Sequence, residues 1–235
     1  MKKNPKFPVY LLVLAATVSM LTTGCKKDDE SLKVTDVDGN VYNTVQIGSQ
    51  VWFKENLRAT SYNDGTDIPN ITGDEDWENT TSGAYCWHDN DLINKGVYGA
   101  LYNWYAASSG KLCPTGWHVP TNEEMTTLCD KEGGWREAGA SLKEDGLTHW
   151  KDPNTGATNL SGFTGLPGGY RIVDDYGGAV YWGQLGAYGY WWTSTPYWQT
   201  SLNHGYVWEM YFDNTSFSYG SRKKACGFSV RCLKD

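Results

Sequence analysis

From Trp150 onward the chain keeps returning to glycine and to large aromatic rings. Across the whole 235 residues there are 27 Gly, 12 Trp and 16 Tyr. This rhythm constrains the fold more than any other feature. Glycine in a helix interior costs roughly 1 kcal/mol relative to alanine, so long helices are excluded there. Aromatic residues in short alternating runs suit half-buried strands instead. "GYWWTSTPYW" (189–198), "YVWEMYF" (206–212) and "GFSVRC" (227–232) are the strand candidates. The core this implies is built from large rings rather than aliphatic helices.

The first half mixes both kinds of element. "VTDVDGNVYNTVQIGSQVWFKENLR" (34–58) alternates, with turns at Asp38-Gly39-Asn40 and Gly48-Ser49. Val41, Val45, Ile47, Val51 and Phe53 take the strand positions. Residues 61–83, rich in Asn, Asp, Gly and Thr, read as a long surface loop. Leu101, Trp104 and Tyr105 have helical spacing, ending at Gly110. A second helix opens at Thr121, with Glu124 at the capping-box position and Met125, Leu128 and Cys129 facing inward. The pattern predicts an α+β fold: one irregular, loop-rich domain with short antiparallel strands and two main helices.

The amino terminus is read as a processed segment. "MKKNPKFPVYLLVLAATVSMLTTGC" carries three lysines, an apolar run from Val9 to Leu21 and small residues before Cys25. That is the layout of a bacterial lipoprotein signal, with residues 1–24 removed and lipid attached to Cys25. Residues 25–31 form a tether, and 32–235 the domain. The Lys-then-acid start of "KKDDES" resembles the surface-export tag of lipoproteins in Bacteroidetes-type bacteria. Display on the cell outer membrane is expected, surface-exposed first and periplasm-facing second. Loss of residues 1–24 leaves 17 basic against 27 acidic residues, a net of −10. Such a balance excludes nucleic acid as a partner and leaves the lipid as the membrane contact.

Five stretches carry a family resemblance. They are "VQIGSQVWFKENLR" (45–58), "YGALYNWYAA" (98–107), "LCPTGWHVPTNEEMTTL" (112–128), "GFTGLPGGYR" (162–171) and "GFSVRCLKD" (227–235). Together they resemble the Fibrobacter succinogenes major paralogous domain family, over about residues 34–235. Met125 stands where that family tends to carry Trp. The resemblance implies a distant kinship with formylglycine-generating enzymes and C-type lectin-like folds. "VPTNEEM" is similar to their "LPTEAEW", and "GFSVRC" to their terminal "GFRC". Activity does not follow from fold, because it lives in the site residues.

Those enzymes hold copper on two cysteines upstream of the terminal motif. Here no cysteine lies between Cys129 and Cys226, so the soft ligands that Cu(I) prefers are missing. The four histidines, His88, His118, His149 and His204, form no ligand array. His118 reads as a structural residue. Asp74-Glu75-Asp76 and Asp174-Asp175 read as solvated charges. "DVDGN" (36–40) and "HDNDLIN" (88–94) offer oxygen ligands but no EF-hand loop, and turn chemistry explains the first. No catalytic residue, metal or other cofactor is expected.

A non-enzymatic cell-surface lipoprotein remains, binding an extracellular polysaccharide or protein in an adhesion-type role. The alternatives are a structural or assembly component of the envelope and a divergent oxidase. Trp191, Trp192, Tyr197 and Trp198 are the ligand-binding candidates. Strand alternation points Trp191 and Trp192 to opposite faces, one to the core and one free to act as a platform. Trp52, Trp104 and Trp117 are assigned to the core. Trp77, Trp87, Trp135, Trp150 and Trp182 lie in loops and are the more open rings. With Cys25 lipidated, five cysteines remain. The resemblance implies a Cys113–Cys232 disulfide, and Cys86 with Cys226 is a conceivable second pair.

Overall fold

The computed structural model describes residues 1–2, 33–174, 179–199 and 202–235. The rest of the expected signal segment, Cys25, the tether and Asp175 lie outside the described residues.

Strands β1 (Val34–Thr35) and β2 (Val41–Tyr42) pair antiparallel, as do β3 (Thr44–Ile47) and β4 (Gln50–Phe53). Their turns fall at Gly39 and Gly48, with φ of 82° and 61°. A side chain is strained at such angles, so glycine suits both turns.

Residues 61–83 are more ordered than their composition suggests. They include α1 (Asp74–Asn79), whose Trp77 is buried. The cause lies far away in sequence. Buried Arg171 donates to the carbonyls of Ile71 (2.8 Å) and Thr72 (3.0 Å) and to Asp74 Oδ1 (2.7 Å). Its guanidinium lies 4.5 Å from the ring of Trp77 and 4.7 Å from that of Trp182.

Next come β5 (Tyr85–Cys86), α2 (Lys95–Tyr98), β6 (Leu101–Tyr102) and α3 (Trp104–Ala107). Leu101, expected in a helix, belongs instead to β6, which pairs with β5. Asn103 sets the boundary: its side chain caps α3 by accepting from Ala106 N. After β7 (Trp117–His118), helix α4 (Asn122–Lys131) forms as expected. Thr121 and Glu124 make the full capping box, and Met125, Leu128 and Cys129 are buried. The five-residue α5 (Ala138–Leu142) follows.

The second half holds the antiparallel pair β8 (Tyr170–Val173) and β9 (Val180–Gly183). It also holds a three-stranded antiparallel sheet of β10 (Tyr188–Tyr197), β11 (His204–Tyr211) and β12 (Phe217–Lys223). The last strand, β13 (Leu233–Lys234), lies between β4 and β7. The molecule is an α+β domain of short antiparallel sheets.

"GFSVRC" is not the alternating strand expected. Every residue from Ala225 to Leu233 is buried. The segment runs through the middle of the fold and touches a different partner at almost each step. Gly227 bridges Arg171, Phe228 bridges Tyr102 and Ser229 bridges Trp191. Leu57 N donates to Val230 O and Phe53 N to Cys232 O. With both sides covered, alternation has no solvent face to mark.

The three-stranded sheet separates two core clusters. Trp192, Tyr190 and Val207 feed one, with Phe228 and Cys232. Trp191, Trp208, Met210 and Phe217 feed the other, under α4. This parity decides which aromatic rings remain available to a ligand.

Candidate functional site

Two of the four expected binding residues are removed by burial. Trp191 and Trp192 do point to opposite faces, yet both have 0% exposure. Trp191 donates to Asn56 Oδ1 (2.9 Å) and Trp192 to Tyr102 O (2.9 Å). Each indole has an apolar bed and a partner for its N–H, so neither can serve as a platform. Trp77, Trp87 and Trp150 are likewise buried and Trp182 is half-buried, whereas Trp135 is open.

A series of rings leads to the surface along one face of the sheet. Trp191, Trp208 and Tyr219 lie side by side across β10, β11 and β12. Beyond this buried end the series continues outward. Tyr219 packs on Trp208 (5.4 Å between ring centroids), Tyr206 on Tyr219 (5.8 Å) and Tyr197 on Tyr206 (4.8 Å). Tyr219 and Trp198 are exposed, and Tyr197 and Tyr206 half-buried. Thus Tyr197 and Trp198 hold their expected place at the surface. Tyr206 and Tyr219 join them as residues the sequence did not single out. The signal existed: Phe217, Tyr219 and Ser221 alternate through β12.

Beside Tyr219 opens a cleft of about 350 Å³. Trp135 and Trp208 form its aromatic sides, and Thr126, Cys129 and Asp130 of α4 its helical side. Trp135 projects into solvent with Arg136 stacked 4.7 Å from its ring. The cleft exists because α4 docks at an irregularity in β10. The register shifts between Trp192 and Pro196, and a shift of this kind bends a strand and frees its polar groups. Thr195 Oγ1 accepts from Asn122 N (2.9 Å), the first helical amide, and Asn122 Oδ1 accepts from Trp208 Nε1 (2.9 Å).

Buried cations hold the scaffold behind this face. Lys143 Nζ donates to the carbonyls of Thr155 (2.9 Å), Tyr211 (3.1 Å) and Asn214 (2.8 Å). Burial pushes its pKa down to about 8. Arg231 of the terminal segment donates to Phe163 O, Asn56 Oδ1 and Thr164 O, with its carbon 4.1 Å from the Phe163 ring. Burial pushes it down to about 9. Asn56 Oδ1 therefore joins Trp191 to Arg231.

The disulfide is where the resemblance implied: Cys113 and Cys232 are bonded across 119 positions. Cys86 remains a buried thiol, so the bridge from Cys86 to Cys226 is not formed. Cys226 Sγ instead lies 3.4 Å from Val173 N. Burial raises the Cys86 thiol to about 12 and the Cys129 thiol to about 11. These two belong to different core clusters.

The polar motifs resolve into local structure. Asp36 Oδ1 accepts from the amides of Asp38 (3.0 Å) and Asn40 (2.8 Å), and Oδ2 from Asn40 Nδ2 (2.8 Å) and Tyr42 OH (2.7 Å). In "HDNDLIN", Asp91 Oδ1 caps Ile93 N (3.0 Å). His118 sits between Asp235 Oδ1 (2.6 Å) and Glu124 (3.1 Å). Burial alone would lower its pKa, but the two carboxylates prevail and raise it. It ties β7, α4 and the final residue together.

No curated protein and no solved structure matches the chain. The Fibrobacter succinogenes major domain matches residues 45–234, and the chain belongs to that family.

Proposed function

We propose that this protein is an exported, lipid-anchored binding module without catalytic chemistry of its own, which holds a neutral glycan chain on its outer aromatic face. The observation carrying this reading is the Tyr197–Tyr206–Tyr219 series beside the Trp135 cleft. Ring faces stack on the apolar faces of sugars, and nearby polar groups take the hydroxyls. Thr126, Ser218 and Gln199 are placed to do so: the first two line the cleft, and Gln199 Nε2 donates to Tyr206 OH.

Ring geometry narrows the ligand. The rings meet at 77° and 66°, edge to face. A crystalline polysaccharide surface calls for coplanar rings, whereas a cupped surface suits one twisting chain. The net charge of −10 expected after processing disfavours acidic glycans. Anchoring through Cys25 at the outer membrane rests on the sequence of residues 1–31 and suits an adhesion-type role. Cys86 and Cys129 lie in different core clusters, which speaks against their sharing a metal as a divergent oxidase would require.

Affinity electrophoresis through gels containing neutral soluble polysaccharides tests the proposal. Retardation by one of them, relieved by Tyr206→Ala and Tyr219→Ala, supports it. Free migration through glucans, xylans and mannans alike would turn the assignment toward a structural or assembly role in the envelope.

A further inference from the structure

The opposite side of the same sheet carries a second concavity of different chemistry. It measures about 380 Å³, within the size range of small-ligand sites. Tyr188 and Tyr190 of β10, Tyr211 of β11 and Tyr170 of β8 surround it, with Gln184 and Asp213 at its rim. By strand parity these tyrosines face away from Tyr219 and Tyr206.

The phenols are engaged with one another through their rings. Tyr188 meets Tyr211 at 4.9 Å and 85°, and Tyr170 meets Tyr190 at 5.5 Å and 78°. Tyr190 is further stacked on Phe228 at 5.1 Å. Oxygen and nitrogen atoms make up most of the exposed lining. The cleft beside Tyr219 is the reverse, with apolar atoms as most of its exposed lining.

The charges are placed as well. Glu209, buried on the same side of the sheet, pairs with Arg222 at 3.4 Å. Burial and Glu209 raise the pKa of Tyr211, and burial and Glu209 raise that of Tyr190. Both phenols therefore stay un-ionised, with Tyr211 hydrogen-bonded to Glu209 and Tyr190. Asp213 adds an exposed carboxylate whose loop is fixed from behind, because Lys143 binds the carbonyls of Tyr211 and Asn214. A rigid ring of hydroxyls, an amide and a carboxylate suits a small ligand with several hydroxyl groups. It disfavours an anion, which Asp213 at the rim would repel. It also disfavours an organic cation bound by ring faces, because polar atoms make up most of the exposed lining.

We propose that this pocket binds a single neutral sugar residue through its hydroxyl groups, as a site separate from the outer aromatic face.

Ligand-observed NMR on the protein with glucose, galactose, mannose, xylose and N-acetylglucosamine tests the proposal. Glucuronate and tetramethylammonium serve as counter-probes. At least one neutral sugar should bind with a Kd in the millimolar range or tighter, about −4 kcal/mol. Tyr188→Phe and Asp213→Asn, which keep the ring packing, should each weaken it about 3- to 10-fold, the effect of one hydrogen bond. Tyr219→Ala on the other face should leave it unchanged. The proposal is overturned if no neutral sugar binds, if tetramethylammonium or glucuronate binds instead, or if Tyr219→Ala abolishes binding that Tyr188→Phe and Asp213→Asn leave intact.

Discussion

Trp191 and Trp192 are neighbours in sequence that belong to opposite halves of the core. The Trp191 indole packs among Phe163 and Phe217 and donates to Asn56, while that of Trp192 packs on Phe228 and donates to Tyr102 O. Either truncation opens a large cavity and removes one buried hydrogen bond, although Asn56 Oδ1 keeps Arg231 and Tyr102 O keeps the amide of Phe228. Trp191→Ala or Trp192→Ala should each cost about 3–5 kcal/mol in chemical denaturation. Trp198→Ala, at an exposed ring, should change stability by no more than about 0.5 kcal/mol. A tolerated Trp192→Ala would contradict the burial described.

The disulfide ties the loop before α4 to the terminal segment. Chain entropy over the 119 positions it closes corresponds to about 5 kcal/mol. Cys113→Ser should therefore lower the urea midpoint well below that of Cys86→Ser. Non-reducing peptide mapping should recover Cys113 with Cys232, and recovery of Cys226 with Cys232 would overturn the assignment.

Lys143 is a structural cation with three backbone acceptors. Lys143→Met retains the bulk but leaves the carbonyls of Thr155, Tyr211 and Asn214 without their donor. A loss of about 3 kcal/mol is expected, since each buried unsatisfied group costs about 1–3 kcal/mol and part will be recovered by water. Thermal melts of the variant against wild type measure it.

His118 makes stability depend on pH. Its folded pKa is raised above 6.5, so the folded state binds the proton more tightly than the unfolded chain. The stabilisation is fully present below about 6.5 and is lost as pH rises through the folded value. Denaturation midpoints should fall across that window for wild type and less so for His118→Gln. An NMR titration placing His118 below 6.5 would refute the clamp.

Local chemistry was legible in the sequence because its causes are local. Thr121 and Glu124 satisfy each other within one helical turn, and Gly48 supplies a backbone angle that side chains resist. The capped helix and the hairpin follow from those residues alone. Burial of Trp192 depends on Tyr102 and Phe228, and order in residues 71–74 depends on Arg171, nearly a hundred positions away. The alternation of Phe217, Tyr219 and Ser221 in β12 was readable, but which face it would expose was settled by α4 docking on the other end of that face. "GFSVRC" misled for the opposite reason. An alternating pattern usually marks one solvated face, and here both are covered.

The anchor proposed at Cys25 has its own check. Cells grown with labelled palmitate should incorporate label into the wild-type chain and not into Cys25→Ser. Equal labelling of both would remove the lipoprotein assignment and leave the domain's binding chemistry untouched.

The most direct measurement of the central claim is titration calorimetry of a neutral soluble glycan against wild type and the double variant Tyr206→Ala/Tyr219→Ala. Each stacking ring contributes on the order of 1 kcal/mol, a factor of about five. Binding about 25-fold weaker, in a variant that melts where wild type does, is the expected result. Undiminished affinity in that folded variant would contradict the claim that the outer aromatic face is the binding surface.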